Sequence, residues 1–249
     1  MIDTHAHLDS FEDVVDVLGR ARAAGVRRVV TVGTTIPSCR AALDLSEREE
    51  GVHAALGLHP HEAGAVGDSD LGELRRLLGH PKAVAVGETG LDYYRDLPPR
   101  GRQAEVFAAQ RALAAELGKP LVVHTRAADV DTVAALRDLP EGIPVVLHCF
   151  SSTRLLDPAL EHGWYVSFAG NATYRKAPEL RAAAALVPAD RILAETDSPY
   201  LAPQPVRGKR NEPAHVVHTL AALAEARGES AAALEAQIEA NAAMLFNLP

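Results

Sequence analysis

Histidines and carboxylates recur in this chain at the ends of short apolar segments. His5 and His7 stand one residue apart in the opening stretch MIDTHAHLDS, and His59 and His61 repeat that spacing in GLHPH. Glu88 follows in AVAVGE, His124 in PLVVHT, His148 in PVVLHC and Asp197 in RILAETD. Neutral imidazoles and ionised carboxylates are the nitrogen and oxygen donors used by Zn²⁺, Mn²⁺ and Mg²⁺. Residues two apart in an extended strand face the same side, so His5 and His7 can present both rings to one ion.

His5, His7, Glu88, His124, His148 and Asp197 together supply four imidazoles and two carboxylates. That exceeds what one tetrahedral ion with an open position can use. Two divalent ions fit better, at a spacing of roughly 3.5–4 Å that a carboxylate can bridge. Glu88, from a central segment, is the expected bridge. His5, His7 and Asp197 would hold one ion, and His124 and His148 the other. Water shared by such a pair ionises near neutral pH, and Asp197 is the expected group to orient it and take its proton.

The charge of this centre points to its substrate. Two divalent ions, offset by Glu88, Asp197 and one hydroxide, leave about one positive charge, which favours an anionic phosphodiester over a neutral amide. The segment SPYLAPQPVRGKRNEP follows Asp197 directly and sets Arg207, Lys209 and Arg210 between prolines. On a chain of net charge −8, this local basic patch is expected to hold phosphates. Arg126, His59 and His61 are further candidates for substrate contact. Asp92, Tyr93 and Tyr94 either shape the loop after Glu88 or touch substrate. Glu195 shares a face with Asp197 and either supports the centre or makes a structural pair. His53, His80, His162, His215 and His218 are expected in structural or surface roles, and Cys149 in core packing.

A scaffold must bring these positions together. The strand candidates are IDTHAH, VRRVVTVG, VHAALGLH, AVAVGE, PLVVHT, PVVLHC, WYVSFAG and RILAETD. They alternate with runs of helical period such as FEDVVDVLGRARAAG, LGELRRLLG, PRGRQAEVFAAQRALAAELG and AADVDTVAALRD. Ser10 is the expected N-cap of the first helix, with Gly25 and Gly118 at helix C-termini. Strands apolar on both faces suit a parallel sheet covered by helices. Eight β/α repeats predict a single α/β domain over residues 1–249, a (β/α)₈ TIM barrel with two closing helices at its C-terminal end; a doubly wound sheet is the alternative. Catalytic groups of such barrels project from the C-terminal ends of the strands, where these candidates fall.

Composition narrows the setting. Hydrophobic residues reach 47% and aromatic residues only 4%, so the core must be built from Ala, Val and Leu. Acidic balance argues against a whole-molecule field for nucleic acid. Cys39 and Cys149 are the only cysteines, without metal or redox spacing, and are expected as reduced thiols. No basic region precedes an apolar run, and no apolar stretch approaches roughly 18 residues. These features predict a cytoplasmic protein with no membrane association and no obligate protein partner.

The segments DTHAHLD, GLHPHEA, VGETGLDYY, PLVVHTRAA, LHCFSS, ETDSPYLAP, RGKRNEP and NAAMLF together resemble the TatD family of metal-dependent deoxyribonucleases, a branch of the amidohydrolase-like TIM barrels. They run in the family's order from residue 3 to residue 246. The resemblance implies metal ligation by His5, His7, Glu88, His124, His148 and Asp197, a magnesium or zinc requirement, and 3′→5′ exonucleolytic action on DNA ends. Some relatives are D-aminoacyl-tRNA deacylases, so a deacylase or other amidohydrolase on the same metals is one alternative. A non-catalytic DNA- or partner-binding barrel is another. Ser152 stands where the family commonly has glycine.

Overall fold

The computed structural model describes residues 1–249. Strands and helices alternate from the start: β1 (Ile2–Ala6), α1 (Val14–Ala23), β2 (Arg28–Gly33), α2 (Ile36–Arg48), β3 (Val52–Leu56), α3 (Asp68–Leu78), β4 (Ala83–Asp92) and α4 (Arg100–Leu117). The series continues with β5 (Leu121–Arg126), α5 (Asp129–Arg137), β6 (Val145–Leu147), α6 (Leu156–His162), β7 (Tyr165–Phe168), α7 (Pro178–Leu186) and β8 (Ile192–Ala194). Helices α8 (Val216–Arg227) and α9 (Ala231–Phe246) complete it. The strands form one sheet in chain order, β1 to β8. This is the (β/α)₈ barrel expected from the sequence. Every residue of β1, β3 and β4 is buried, as strands covered on both faces require.

Contacts group the chain into two compact units, Met1–Thr31 with His148–Pro249, and Val32–Leu147. In the first, β1 pairs with β2 and β7 with β8, both parallel. The end of β1 also meets the segment after β8: Asp197 N–H donates to the His5 carbonyl (2.9 Å) and His7 N–H to the Ser198 carbonyl (2.8 Å). Two ligand candidates from opposite ends of the sequence are thereby set by one ladder. Helix α9 is tied in by Asn241, which donates to the carbonyls of Ala189 and Ile192 at 2.8 Å each. The Met1 ammonium pairs with Glu235 and Glu239, both at 3.0 Å.

In the second unit β3, β4, β5 and β6 pair in parallel. The register of β4 against β5 shifts between Val86 and Thr89, an irregularity of the kind that re-aims a side chain beside an active site. Gly90, at φ 144°, lies so close to the His124 carbonyl that a β-carbon there would overlap it.

Several boundaries differ from the sequence expectation. Glu88 does not end β4, which runs four residues further to Asp92. His59 and His61 lie beyond β3, in and before a 3-10 turn at Pro60–Ala65. Ser10 does not cap α1: it closes a 3-10 turn at Leu8–Ser10, and α1 starts after Asp13 with no side-chain cap. The reason is burial, because this turn places Leu8 and Phe11 in the core before the helix can begin. Gly118 ends α4 at φ 61° as expected, and Gly25 follows α1 at φ 89°.

Candidate metal centre

In the first unit, donor atoms of His5, His7 and Asp197 lie within 4.8 Å of one another. Asp197 Oδ1 is 3.4 Å from His7 Nε2 and 3.9 Å from His5 Nε2. The His5 ring stacks on His148 at 4.0 Å between centroids and meets His7 edge-on at 5.1 Å. Asp197 holds φ at 54°, a conformation that costs energy outside glycine and is kept by the ladder to His5. Burial pushes the Asp197 carboxyl up, but the hydrogen bond from His7 and the nearby His148 and His5 outweigh it and hold it below the ordinary value.

Behind these side chains stand two buried carboxyl groups, those of Glu195 and Asp3. Glu195 accepts from His148 Nδ1 (3.1 Å), from the Cys149 N–H (2.7 Å) and from the Ser167 hydroxyl. That bond makes Nε2 the lone-pair atom of His148, the usual device for orienting a metal-binding imidazole. Of the roles open to Glu195, support of the centre is the one its contacts match. Asp3 accepts from the Thr196 N–H (2.9 Å), the Thr196 hydroxyl (2.6 Å) and the His5 N–H (3.3 Å). It ties the backbone of His5 to that of the Asp197 loop, and burial raises its carboxyl to about 8.

The second unit assembles His59, Glu88 and His124 within 4.8 Å of one another. Glu88 Oε1 lies 2.8 Å from His124 Nδ1 and 3.4 Å from His59 Nε2. Asp92 is fully buried, and its Oδ2 meets His61 Nε2 at 2.8 Å and His124 Nε2 at 3.2 Å. Its Oδ1 accepts the N–H groups of Tyr94 (3.0 Å) and Arg95 (2.9 Å). Asp92 thus shapes the loop and orients His124 at once. Burial pushes its carboxyl up, but bonds from His124, Arg95 and His61 outweigh it and hold it well below the ordinary range. Burial also lowers His59, against Glu88, which keeps this imidazole neutral and able to ligate.

The donor chemistry of both clusters fits a divalent metal. A neutral His124 that donates to Asp92 turns a lone pair toward Glu88, an arrangement that a cation relieves. His61 does not join the second cluster but turns to Asp92. Arg126 lies over the Tyr94 ring at 3.9 Å. Arg207 lies over Tyr174 (3.9 Å), while Arg210 covers Phe11 (4.4 Å) and donates to the Ser10 carbonyl. Ser152 takes φ −118°, which any side chain can adopt, so the departure from glycine imposes no backbone strain.

Two glutamines of α4 escape the sequence reading. Gln110 accepts from the Leu58 N–H (2.7 Å) and donates to the Leu58 carbonyl (2.9 Å) and the Thr89 hydroxyl (2.6 Å), fixing the loop of His59 and His61. Gln103 accepts from the Asp92 N–H (2.8 Å) and donates to its carbonyl (3.1 Å). Both are fully buried. Their signal was a pair of amides two helical turns apart on the same face as Val106, Phe107 and Leu113.

The family model for TatD related DNase matches residues 2–247. The chain is 43% identical over 238 residues to a Mycobacterium tuberculosis protein named uncharacterized metal-dependent hydrolase TatD, covering 90% of this chain and 89% of that one. It is 39% identical over 238 residues to the 3′-5′ ssDNA/RNA exonuclease TatD of Cronobacter sakazakii, covering 93% and 90%. Among solved structures, the TatD homolog YJJV of Escherichia coli K12 superposes with a TM-score of 0.93 at 32% identity, covering 100% of this chain and 98% of that one. No helix is long and apolar enough to cross a membrane. With family match, relatives and ligand clusters in agreement, the chain belongs to the TatD family of metal-dependent hydrolases.

Proposed function

We propose that this hydrolase is a deoxyribonuclease that removes nucleotides from DNA ends, in the 3′→5′ sense carried by the name of its Cronobacter relative. The observation that carries the reading is the state of the basic loop after Asp197. Several surface arginines pair with carboxylates, as in Arg20–Glu212 at 2.7 Å and Arg40–Glu73 at 2.8 Å. Arg207 and Arg210 instead rest on aromatic rings and a carbonyl, and both are exposed with Lys209. Their charge is left for a polyanion, on a chain of net charge −8. A small uncharged amide or ester would have no use for it, and the turnover panel below separates DNA from aminoacyl-tRNA.

In this reading His5, His7 and Asp197 would hold one divalent ion (Zn²⁺, Mn²⁺ or Mg²⁺) and His124 and His148 a second, with Glu88 contributing to both. Such ions, when bound, would supply positive charge at the scissile phosphate and lower the pKa of bound water. Asp197 orients the attacking water and takes its proton at a carboxylate oxygen. Glu195 and Asp92 hold His148 and His124 in the ligating tautomer. Arg207, Lys209 and Arg210 bind flanking phosphates, while His59, His61 and Arg126 line the approach to the reacting one.

The test compares end-labelled single- and double-stranded DNA, a phosphodiester chromogen and D-aminoacyl-tRNA, each with Zn²⁺, Mn²⁺ or Mg²⁺. DNA is expected to be shortened from an end. The triple variant Arg207→Ala/Lys209→Ala/Arg210→Ala is expected to lose affinity for DNA, with its salt slope flattened by up to about two. Chromogen turnover is expected to fall much less. Equal losses on DNA and chromogen, or turnover of aminoacyl-tRNA alone, would overturn the nuclease reading.

A further inference from the structure

Tyr200 is a large aromatic ring with 59% of its surface exposed, yet its backbone is among the better anchored of its loop. Its N–H donates to the Asp197 carbonyl (2.9 Å), and its own carbonyl accepts from Asn211 Nδ2 (2.6 Å). Asn211 is fully buried and also binds the Pro199 carbonyl through its N–H (3.2 Å). The Tyr200 ring stands edge-on to His7 at 5.9 Å between centroids. A solvent-facing ring on an anchored backbone, beside a candidate metal ligand, forgoes the burial such a side chain normally gains. A flat apolar group brought to the centre by the substrate would restore it.

The same unit carries a second feature that the sequence reading passed over. Arg175 and Lys176 follow Tyr174 in the loop after β7, and both are exposed. This loop is locked to the one after β8. Gln204 N–H donates to the Thr173 hydroxyl (2.7 Å), and the Arg207 guanidinium lies on the Tyr174 ring. Gly170 packs so tightly on the second loop that a β-carbon would strike the Leu201 carbonyl oxygen. Arg175 and Lys176 are thereby joined to Arg207, Lys209 and Arg210 in one basic surface that begins beside Tyr200.

We infer that this surface is a single-strand track, with Tyr200 the platform on which a base of the bound strand stacks and Arg175 and Lys176 further phosphate contacts. The inference rests on the nucleic-acid reading above and on the single-stranded substrate in the name of the Cronobacter relative, and it adds the residues of this chain that would grip the strand. A base inside a duplex has both faces covered and cannot stack on a side chain, whereas every unpaired base offers a face whatever its sequence.

Equilibrium binding by the full-length chain, with metals chelated so that strands stay intact, tests this directly. The probes are fluorescent oligo(dT) and an abasic deoxyribose-phosphate strand of equal length. Tyr200→Ala is expected to weaken oligo(dT) binding about tenfold, on the scale of one lost base–aromatic stack, and abasic binding by less than about twofold. Tyr200→Phe, which keeps the ring, is expected to bind like the parent chain. Arg175→Ala/Lys176→Ala is expected to weaken both probes and to reduce the salt slope by about 1.4, the contribution of two single-strand phosphate contacts. Equal losses on both probes for Tyr200→Ala, or a Phe variant as weak as Ala, would overturn the stacking platform. An unchanged salt slope in the double variant would overturn the extended track. If the parent chain shortens DNA while these variants bind normally, the inference alone fails. If it neither binds nor cleaves either strand yet hydrolyses aminoacyl-tRNA, the nuclease reading fails with it.

Discussion

Asp92 faces His124 across 3.2 Å, carboxylate oxygen to Nε2, and so leaves the other ring nitrogen of His124 directed at Glu88, 2.8 Å away. One buried carboxylate thus decides which nitrogen can ligate. Glu195 stands in the same relation to His148. Asp92→Asn is expected to weaken metal affinity by about 10–100-fold, the usual effect of losing such a partner, with the fold retained. Competition against a chromogenic chelator measures it, and an unchanged affinity would assign Asp92 to loop structure alone.

Metal content provides the next check. Two ions per chain are expected at saturation by elemental analysis, falling toward one in Glu88→Gln. Because ligand that binds only the folded state stabilises it, saturation at 100 times Kd should add about 2.7 kcal/mol per site. Thermal melts with and without EDTA would register this. No change in Tm on chelation would contradict tight binding by these clusters.

Asp197→Asn preserves size and one oxygen but loses the negative charge that His7 and His5 face. If Asp197 positions water and takes its proton, kcat is expected to fall about 10²-fold or more at saturating metal. A near-normal kcat would move the proton acceptor elsewhere.

A pH effect away from the centre comes from Glu73, which receives hydrogen bonds from Arg76 and Arg40 that push its carboxyl down to about 2 from an ordinary 4.5. A depressed carboxylate adds stability that is fully present above its unfolded value and is lost as pH falls through the folded one. The Tm difference between the parent and Glu73→Gln is therefore expected at neutral pH and should vanish between about pH 4.5 and 2. Both arginines are largely exposed, so 1 M salt should also shrink it.

The barrel, its parallel strands and the candidate metal ligands are all legible in the order of residues along the chain. Alternating β-branched and helical runs reflect local periodicity, and ligands near strand ends are placed by local position along each strand. Contacts between residues far apart in the chain emerge only on folding. Thr196 answers Asp3 across 193 positions, and His61 shares Asp92 with His124 across 31 and 32. Glu88 lies inside β4 rather than at its end because β4 keeps pairing with β5 through Leu91–Thr125 and Asp92–Arg126, a strand-to-strand contact that no single-strand pattern encodes. Tyr200 and Gln110 follow the same rule. An exposed ring and a buried amide carry no periodic signal of their role, since that role is set by the loop or strand each one meets across space.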